Sequence, residues 1–257
     1  MELTMPALSA QLYTVRNFLT TPEAIAESLK KIRAIGYRFV EVSSLEHIPA
    51  PQIKALLDEA DLQVSAVHFD HAPLLANLDE CLAQSDMLGT KNLILSMMPE
   101  AYAQEGREGF QRFIDETIPL CEKVRTAGFN ISYHNHNYEF TRFDGRPALD
   151  WIFDSIPCLG AEIDTHWIQM GGGNPAAWIR KVAGRMNSVH LKDFTVEMWT
   201  PIFAEVGQGS LNWDEIIAAA LETGVEFFVV EQDECRRDPF ESLKLSYEFL
   251  NPLVGRH

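Results

Sequence analysis

The run LGAEIDT at 159–165 and the run NSVHLKD at 187–193 bracket a helical segment, PAAWIRKVA, opened by Asn174, and this unit decides the fold. Both runs are short and largely apolar, as a strand covered on both faces must be. Asn174 is a good N-cap residue for the segment between them. Working outward, the same alternation recurs at LSAQLYT (8–14), YRFVEVS (37–43), QVSAVHF (63–69), KNLILS (91–96), NISYHNH (130–136) and EFFVVEQ (226–232). With room for one helix after each run, eight such runs predict a parallel α/β sheet closed into a single (β/α)8 TIM barrel. A length of 257 residues is close to the roughly 250 that such a barrel takes.

Helix boundaries carry their own punctuation. Thr21 and Pro22 open PEAIAESLKKIRAI and Gly36 follows it, while Gly128 and Gly224 end later helices. Asn212 precedes WDEIIAAALET, and a last helix from about Pro239 to Leu250 closes the barrel. No linker or low-complexity tract interrupts residues 1–257, which therefore read as one domain.

Composition narrows the function classes. The chain is 46% hydrophobic and 23% charged, enough to bury a full core. Its 37 acidic against 21 basic side chains leave a formal charge of −16. That charge repels a phosphate backbone and offers anionic lipid no polybasic footprint, so neither nucleic acid nor membrane is an expected partner. Cys81, Cys121, Cys158 and Cys235 are dispersed with no CxxC, which reads as reduced thiols in a cytoplasmic protein. The start MELTMPALSAQLYTVRN lacks a basic segment followed by an apolar run, and nothing marks the chain for export.

In a parallel barrel the active site is built where the strands end, and strand interiors are expected to be apolar. Polar residues gather at those ends: His68 in the third run, His134 and His136 in the fifth, Asp164 and His166 in the sixth, His190 and Lys192 in the seventh, Glu231 in the eighth. Residues two apart on a strand face the same way, so His134 with His136, and Asp164 with His166, are expected to converge. Histidine and carboxylate from several strands suit a divalent metal. A lone strand-end histidine is as readily a packing residue, but five of the chain's eight histidines at such ends make that reading poor for the set. Gly171–Gly173 lacks the GxGxxG spacing and reads as a loop. Gly207–Gly209 either admits a ligand near Glu205 or merely turns the chain. Trp167 and Trp199 follow strands and are the tryptophans placed to stack on a sugar ring.

The motifs YHNHNYEF (133–140), EIDTHW (162–167), VHLKDF (189–194), EVGQGSLNW (205–213) and VVEQ (229–232) together resemble the sugar phosphate isomerase/epimerase superfamily of xylose isomerase-like barrels. The likeness extends over essentially the whole chain. It implies a divalent metal, Mn or Mg first and Co or Zn next, held by Asp164, His190 and Glu231. Where the ketose epimerases carry a glutamate in the fifth strand this chain has His134, so the resemblance leaves the fourth ligand to Glu139, reaching back, or to His134 or His136. The histidine pair resembles the branch of inosose dehydratases and keto-glycoside-cleaving enzymes at least as much as the ketose epimerases.

The implied function is a metal-dependent sugar, sugar phosphate or ketose isomerase or epimerase, working by proton abstraction beside a carbonyl through an enediolate. The alternative is a lyase or dehydratase sharing that first step. Glu231 is the expected base with Glu139 opposite, and His68 is a further acid/base group. His134, His136, His166, Lys192, Trp167 and Glu205 are expected to bind a small carbohydrate, with Lys192 either on the substrate or paired with Asp193. A non-catalytic sugar-binding barrel would instead show an incomplete ligand quartet with Glu139 turned away. The resemblance also allows a homodimer.

Overall fold

The computed structural model describes residues 5–254; the ends of the expected single domain, 1–4 and 255–257, lie outside it. Among the described residues there are twelve strands: β1 (Ala7–Gln11), β2 (Phe39–Val42), β3 (Gln63–Phe69), β4 (Asn92–Leu95), β5 (Asn130–His134), β6 (Arg142–Phe143), β7 (Arg146–Pro147), β8 (Gly160–Asp164), β9 (Ser188–Leu191), β10 (Asp193–Glu197), β11 (Thr200–Ala204) and β12 (Phe227–Val230). Eight of them close a parallel barrel in the order β1-β12-β9-β8-β5-β4-β3-β2, with helices between, as the eight runs predict. No helix among the described residues is long and apolar enough to cross a membrane.

Several predicted runs stop early, for local reasons. The first ends at Gln11, whose side chain accepts the Tyr13 N–H and opens the 3-10 helix Leu12–Phe18. The sixth ends at Asp164, which caps the helix Thr165–Met170 by accepting the Trp167 N–H at 3.0 Å. The seventh divides around Lys192 into β9 and a hairpin, β10 with β11, that the sequence reading did not foresee; β6 and β7 form another short antiparallel pair. The helix caps behave as read: Thr21, Asn174 and Asn212 each accept a backbone N–H, and Gly224 takes the left-handed conformation at φ 70°.

The barrel interior departs from the apolar expectation. Alternation along each strand sends one set of residues outward, as Tyr133 shows by packing on Phe113 of the helix Arg107–Thr126, centroids 5.4 Å apart. Most of the inward set is polar: Ser9 and Gln11, Ser132 and His134, Glu162 and Asp164, Ser188 and His190, all buried, with Ile94 and Val229 among them. Ser9 and Ser65 hydrogen-bond at 2.8 Å, and Ser188 donates to Glu162, so these serines find their partners inside the barrel. Register sets the layer: Gln11 lies opposite Glu41, His134 opposite Glu162 and Asp164 opposite His190.

Asp193 does not pair with Lys192, because adjacent residues point to opposite sides. Its buried carboxylate accepts Trp213 Nε1–H at 2.6 Å and the backbone N–H groups of Phe194, Gly207, Gly209 and Leu211 at 2.8–3.2 Å. A Cβ at Gly209 would stand 2.3 Å from that carboxylate, so the Gly207–Gly209 turn is a cradle for Asp193. Asp193→Ala strands several buried donors at once, and urea unfolding is expected to show a loss of about 3–5 kcal/mol. A loss below about 1 kcal/mol would show that water replaces the carboxylate.

Candidate metal centre and substrate cavity

Ionisable groups meet in two layers at the C-terminal ends of the barrel strands. In the lower layer, Glu41 Oε1 receives Gln11 Nε2 at 2.8 Å, His68 Nε2 at 2.7 Å and His190 Nε2 at 2.6 Å. Glu162 Oε2 stands 3.2 Å from His68 Nε2, 3.2 Å from His190 Nε2 and 3.3 Å from His134 Nδ1. In the upper layer, His190 Nδ1 is 3.0 Å from Glu231 and His134 Nε2 is 3.7 Å from Asp164 Oδ2. His134 and His190 therefore show one ring nitrogen to each layer.

Within each of two sets, His68–His134–Glu162–His190 and His134–Asp164–His190–Glu231, the potential ligand atoms all lie within 4.8 Å of one another. The upper set takes one residue from, or just beyond, each of four neighbouring barrel strands, β5, β8, β9 and β12. Two imidazoles and two carboxylates form a mixed nitrogen and oxygen set of the kind that divalent cations accept. Asp164 divides its work: Oδ1 caps a helix, while Oδ2 is buried without a hydrogen-bond donor. The Lys192 ammonium hovers 2.9 Å from that oxygen and 2.7 Å from Glu231, and donates a well-formed hydrogen bond only to Asp233, at 2.9 Å. An oxygen that attracts a cation without a directional donor is one a metal would fit.

Charge states follow from burial and neighbours. Burial works against a charged His68, yet Glu41 and Glu162 raise it to about 9. Burial likewise opposes charge on His190 and Lys192, but Glu162 and Glu41 around the first, and Asp164, Glu231 and Asp233 around the second, hold both well above their ordinary values. Burial would lift Glu231, but Lys192 and His190 keep it well below the carboxylate range. His136 and His166 are driven down by burial to about 3 and about 4, and stay neutral. Glu231 is thus an anion beside two protonated groups.

A cavity of about 870 Å³ opens over this centre, lined by His68, His134, His136, Trp167, Lys192 and Glu231 among others. Of the residues predicted for the site, these six face it, and Asp164 and His190 lie buried at its base. Three do not join them. Glu139, expected as ligand and second base, sits on the 3-10 turn Tyr138–Phe140, where Tyr133 donates to one oxygen at 2.5 Å and the His136 N–H to the other at 3.0 Å. Glu205 is held by Ser242 at 2.8 Å and Arg237 at 3.1 Å. His166 lies on the helix after Asp164, where strand alternation has ended, and stacks on Phe203 with centroids 4.5 Å apart. Trp199 stands 96% exposed at the hairpin tip.

Sequence reasoning passed over Glu41 and Glu162 as site residues. The signal was present, since a carboxylate inside an otherwise apolar run must be paired once buried, and Glu162 lies two residues before Asp164 on the same face.

Burial lifts the Glu139 carboxyl to about 7, despite its hydrogen bonds from Tyr133 and His136. A carboxyl that ionises near 4.5 when free and higher when folded stabilises the fold fully below that lower value, and this contribution is lost as pH rises through about 7. Glu139→Gln is expected to flatten the decline in unfolding free energy between about pH 5 and 8. An unchanged slope in urea titrations across that range would place the decline elsewhere.

The xylose isomerase-like TIM barrel family model matches residues 29–253. An inosose dehydratase of Clostridium beijerinckii is 21% identical over 272 residues, spanning 89% of each chain. Among solved structures, a sugar phosphate isomerase/epimerase from Parabacteroides distasonis superimposes with a TM-score of 0.80 at 21% identity, covering 97% of this chain and 99% of that one. A xylose isomerase-like TIM barrel protein from Mycobacterium smegmatis in complex with magnesium gives 0.70 at 14% identity, covering 98% and 97%. Closed parallel barrel, strand-end cluster and a family match over most of the sequence agree, and the chain belongs to the xylose isomerase-like TIM barrel family.

Proposed function

We propose that this protein is a divalent-metal-dependent enzyme that removes a proton beside the carbonyl of a small carbohydrate and then eliminates a β-substituent. The observation that carries this reading is the convergence of His134, Asp164, His190 and Glu231 under an open cavity, with anionic Glu231 beside protonated Lys192. His134 stands where Glu139 was expected, so the quartet is complete although Glu139 is turned away. That completeness favours an enzyme over a purely sugar-binding barrel. The magnesium in the Mycobacterium smegmatis relative supports Mg or Mn as the metal, with Co and Zn next.

A cation held there would polarise a carbonyl and a neighbouring hydroxyl. Glu231 takes the proton from the adjacent carbon, and the C–H electron pair moves toward the carbonyl oxygen. Lys192 keeps Glu231 ionised until that transfer. As the electron pair returns to form the C=C bond, the β carbon–oxygen bond breaks and His68 gives its proton to the departing oxygen. Neutral His136 and the Trp167 ring, with centroids 5.5 Å apart, wall the site. Isomerisation or epimerisation with Glu139 opposite Glu231 was the leading expectation, and the hydrogen bonds that hold Glu139 to Tyr133 and His136 favour a reading without that second base. The dehydratase named among the relatives supports elimination. Isomerisation by Glu231 alone is the second reading, favoured by the fold likeness to the isomerase/epimerase structure.

The test is NMR in deuterated water, with Mn-loaded protein and a panel of inososes, 3-keto-glycosides and ketoses. Deuterium is expected beside the carbonyl along with an unsaturated or cleaved product, and Glu231→Gln is expected to slow exchange at least ~100-fold. An epimer or isomer as sole product would select the second reading, and no metal-dependent exchange with any compound would sink both. His190 is protonated before metal arrives, so loading must displace its Nδ1 proton. Mn²⁺ binding near pH 7 is expected to release about one proton and to tighten as pH rises. Calorimetry in buffers of different ionisation enthalpy reads that number, and a value of zero would overturn the protonated His190 on which the expectation rests.

A further inference from the structure

The cavity is larger than the reacting sugar requires, and its two walls differ. At about 870 Å³ it stands near the upper end of the roughly 300–1,000 Å³ range of ligand cavities, well beyond the needs of one hexose ring. The chelating groups come from one half of the barrel, the run β12-β9-β8-β5. The opposite wall is built from the segments after β2, β3 and β4 and from the helix Leu78–Met87. It presents Leu45, Ile48, Pro49, Pro73 and Cys81 together with the polar ends of Asn77 and Gln84.

Charge on that wall is of one sign. Glu46, Asp70 and Glu80 line it, with no lysine or arginine. The cavity's two basic side chains, Lys192 and Arg16, are not on that wall. Lys192 is surrounded by Asp164, Glu231 and Asp233. Arg16 donates to the Tyr13 carbonyl at 2.9 Å and lies 4.1 Å from the Tyr13 ring centroid. A phosphoryl group reaching the far wall would meet carboxylates and no lysine or arginine of that wall, whereas an uncharged ring finds an apolar face with amides to bond its edge.

We infer that the wall formed by Leu45, Ile48, Pro49 and Pro73 is a second subsite, which takes an uncharged ring attached to the reacting sugar. The substrate is then a neutral two-ring glycoside, glycosyl or aryl, and not a sugar phosphate. The inference rests on the proposed reaction only in placing the reacting sugar at the chelating half.

Titration calorimetry with the full chain and Mn²⁺ tests it, using methyl, phenyl and glucosyl 3-keto-β-glucosides, and D-fructose against D-fructose 6-phosphate. At least one of the phenyl and glucosyl compounds is expected to bind at least ~10-fold tighter than the methyl compound, and whichever gains identifies the ring as aryl or glycosyl. Ala50, half-buried at the start of the helix Ala50–Glu59, lies in this wall. Ala50→Trp is expected to bring the ratio of ring to methyl affinity to about one, with circular dichroism confirming the fold and Gln84→Trp as the second variant. Equal affinities across the glycosides, a ratio untouched by both variants, or tighter binding of the fructose phosphate than of fructose would each overturn the subsite. A ring effect on binding without turnover leaves the subsite standing and removes the proposed reaction. Turnover without a ring effect does the reverse.

Discussion

The polar centre of this barrel is arranged around two buried carboxylates, Glu41 and Glu162, and the three imidazoles that share them. Ionised side chains at the centre of a protein are costly unless each finds an opposite charge. Here Glu41 gathers Gln11, His68 and His190 on one oxygen, and Glu162 stands between His68, His190 and His134. The lower layer therefore fixes which nitrogen of His190 and of His134 is left to face upward. Ligand orientation by a supporting carboxylate is a general device of metal sites, and in this chain the supports are themselves barrel strand residues.

That arrangement explains why the interior is not filled with branched apolar side chains. A cluster of charges needs hydrogen-bonding surroundings, and the serines beneath it, Ser9, Ser65 and Ser188, supply small polar groups that bond to each other or to Glu162. Cohesion comes instead from the outward faces of the strands, where Leu93, Ile131, Ile163, Val189 and Phe228 are buried beneath the helices.

The barrel was legible because its signals are periodic and repeated. Eight short runs separated by capped helices survive errors of a few residues at each boundary, and the caps at Thr21, Asn174 and Asn212 were read from local chemistry that tertiary contacts did not alter. The convergence of Asp164, His190 and Glu231 was legible, because strand alternation still applies there. It failed where a strand ended sooner than its apolar pattern: His166 was assigned to the face of Asp164, but Asp164 starts a helix and the period changes. Glu139 was misplaced because no sequence pattern shows a tyrosine, Tyr133, from the preceding strand claiming its carboxylate. Glu41 and Glu162 escape a reading of strand ends, because they meet the imidazoles one layer below.

The dipeptide Lys192–Asp193 serves both sides of one strand end. Lys192 turns inward to the carboxylates, and Asp193 turns outward to five donors spread over residues 194–213. The outward residue acts as a bulkhead. Movement or sequence drift in the exposed Met198–Trp199 hairpin tip is absorbed before it reaches the ammonium, because the backbone between them is clamped to a helix start and a glycine turn. The tip can vary freely among descendants of this sequence while the electrostatics of the cavity floor stay unchanged.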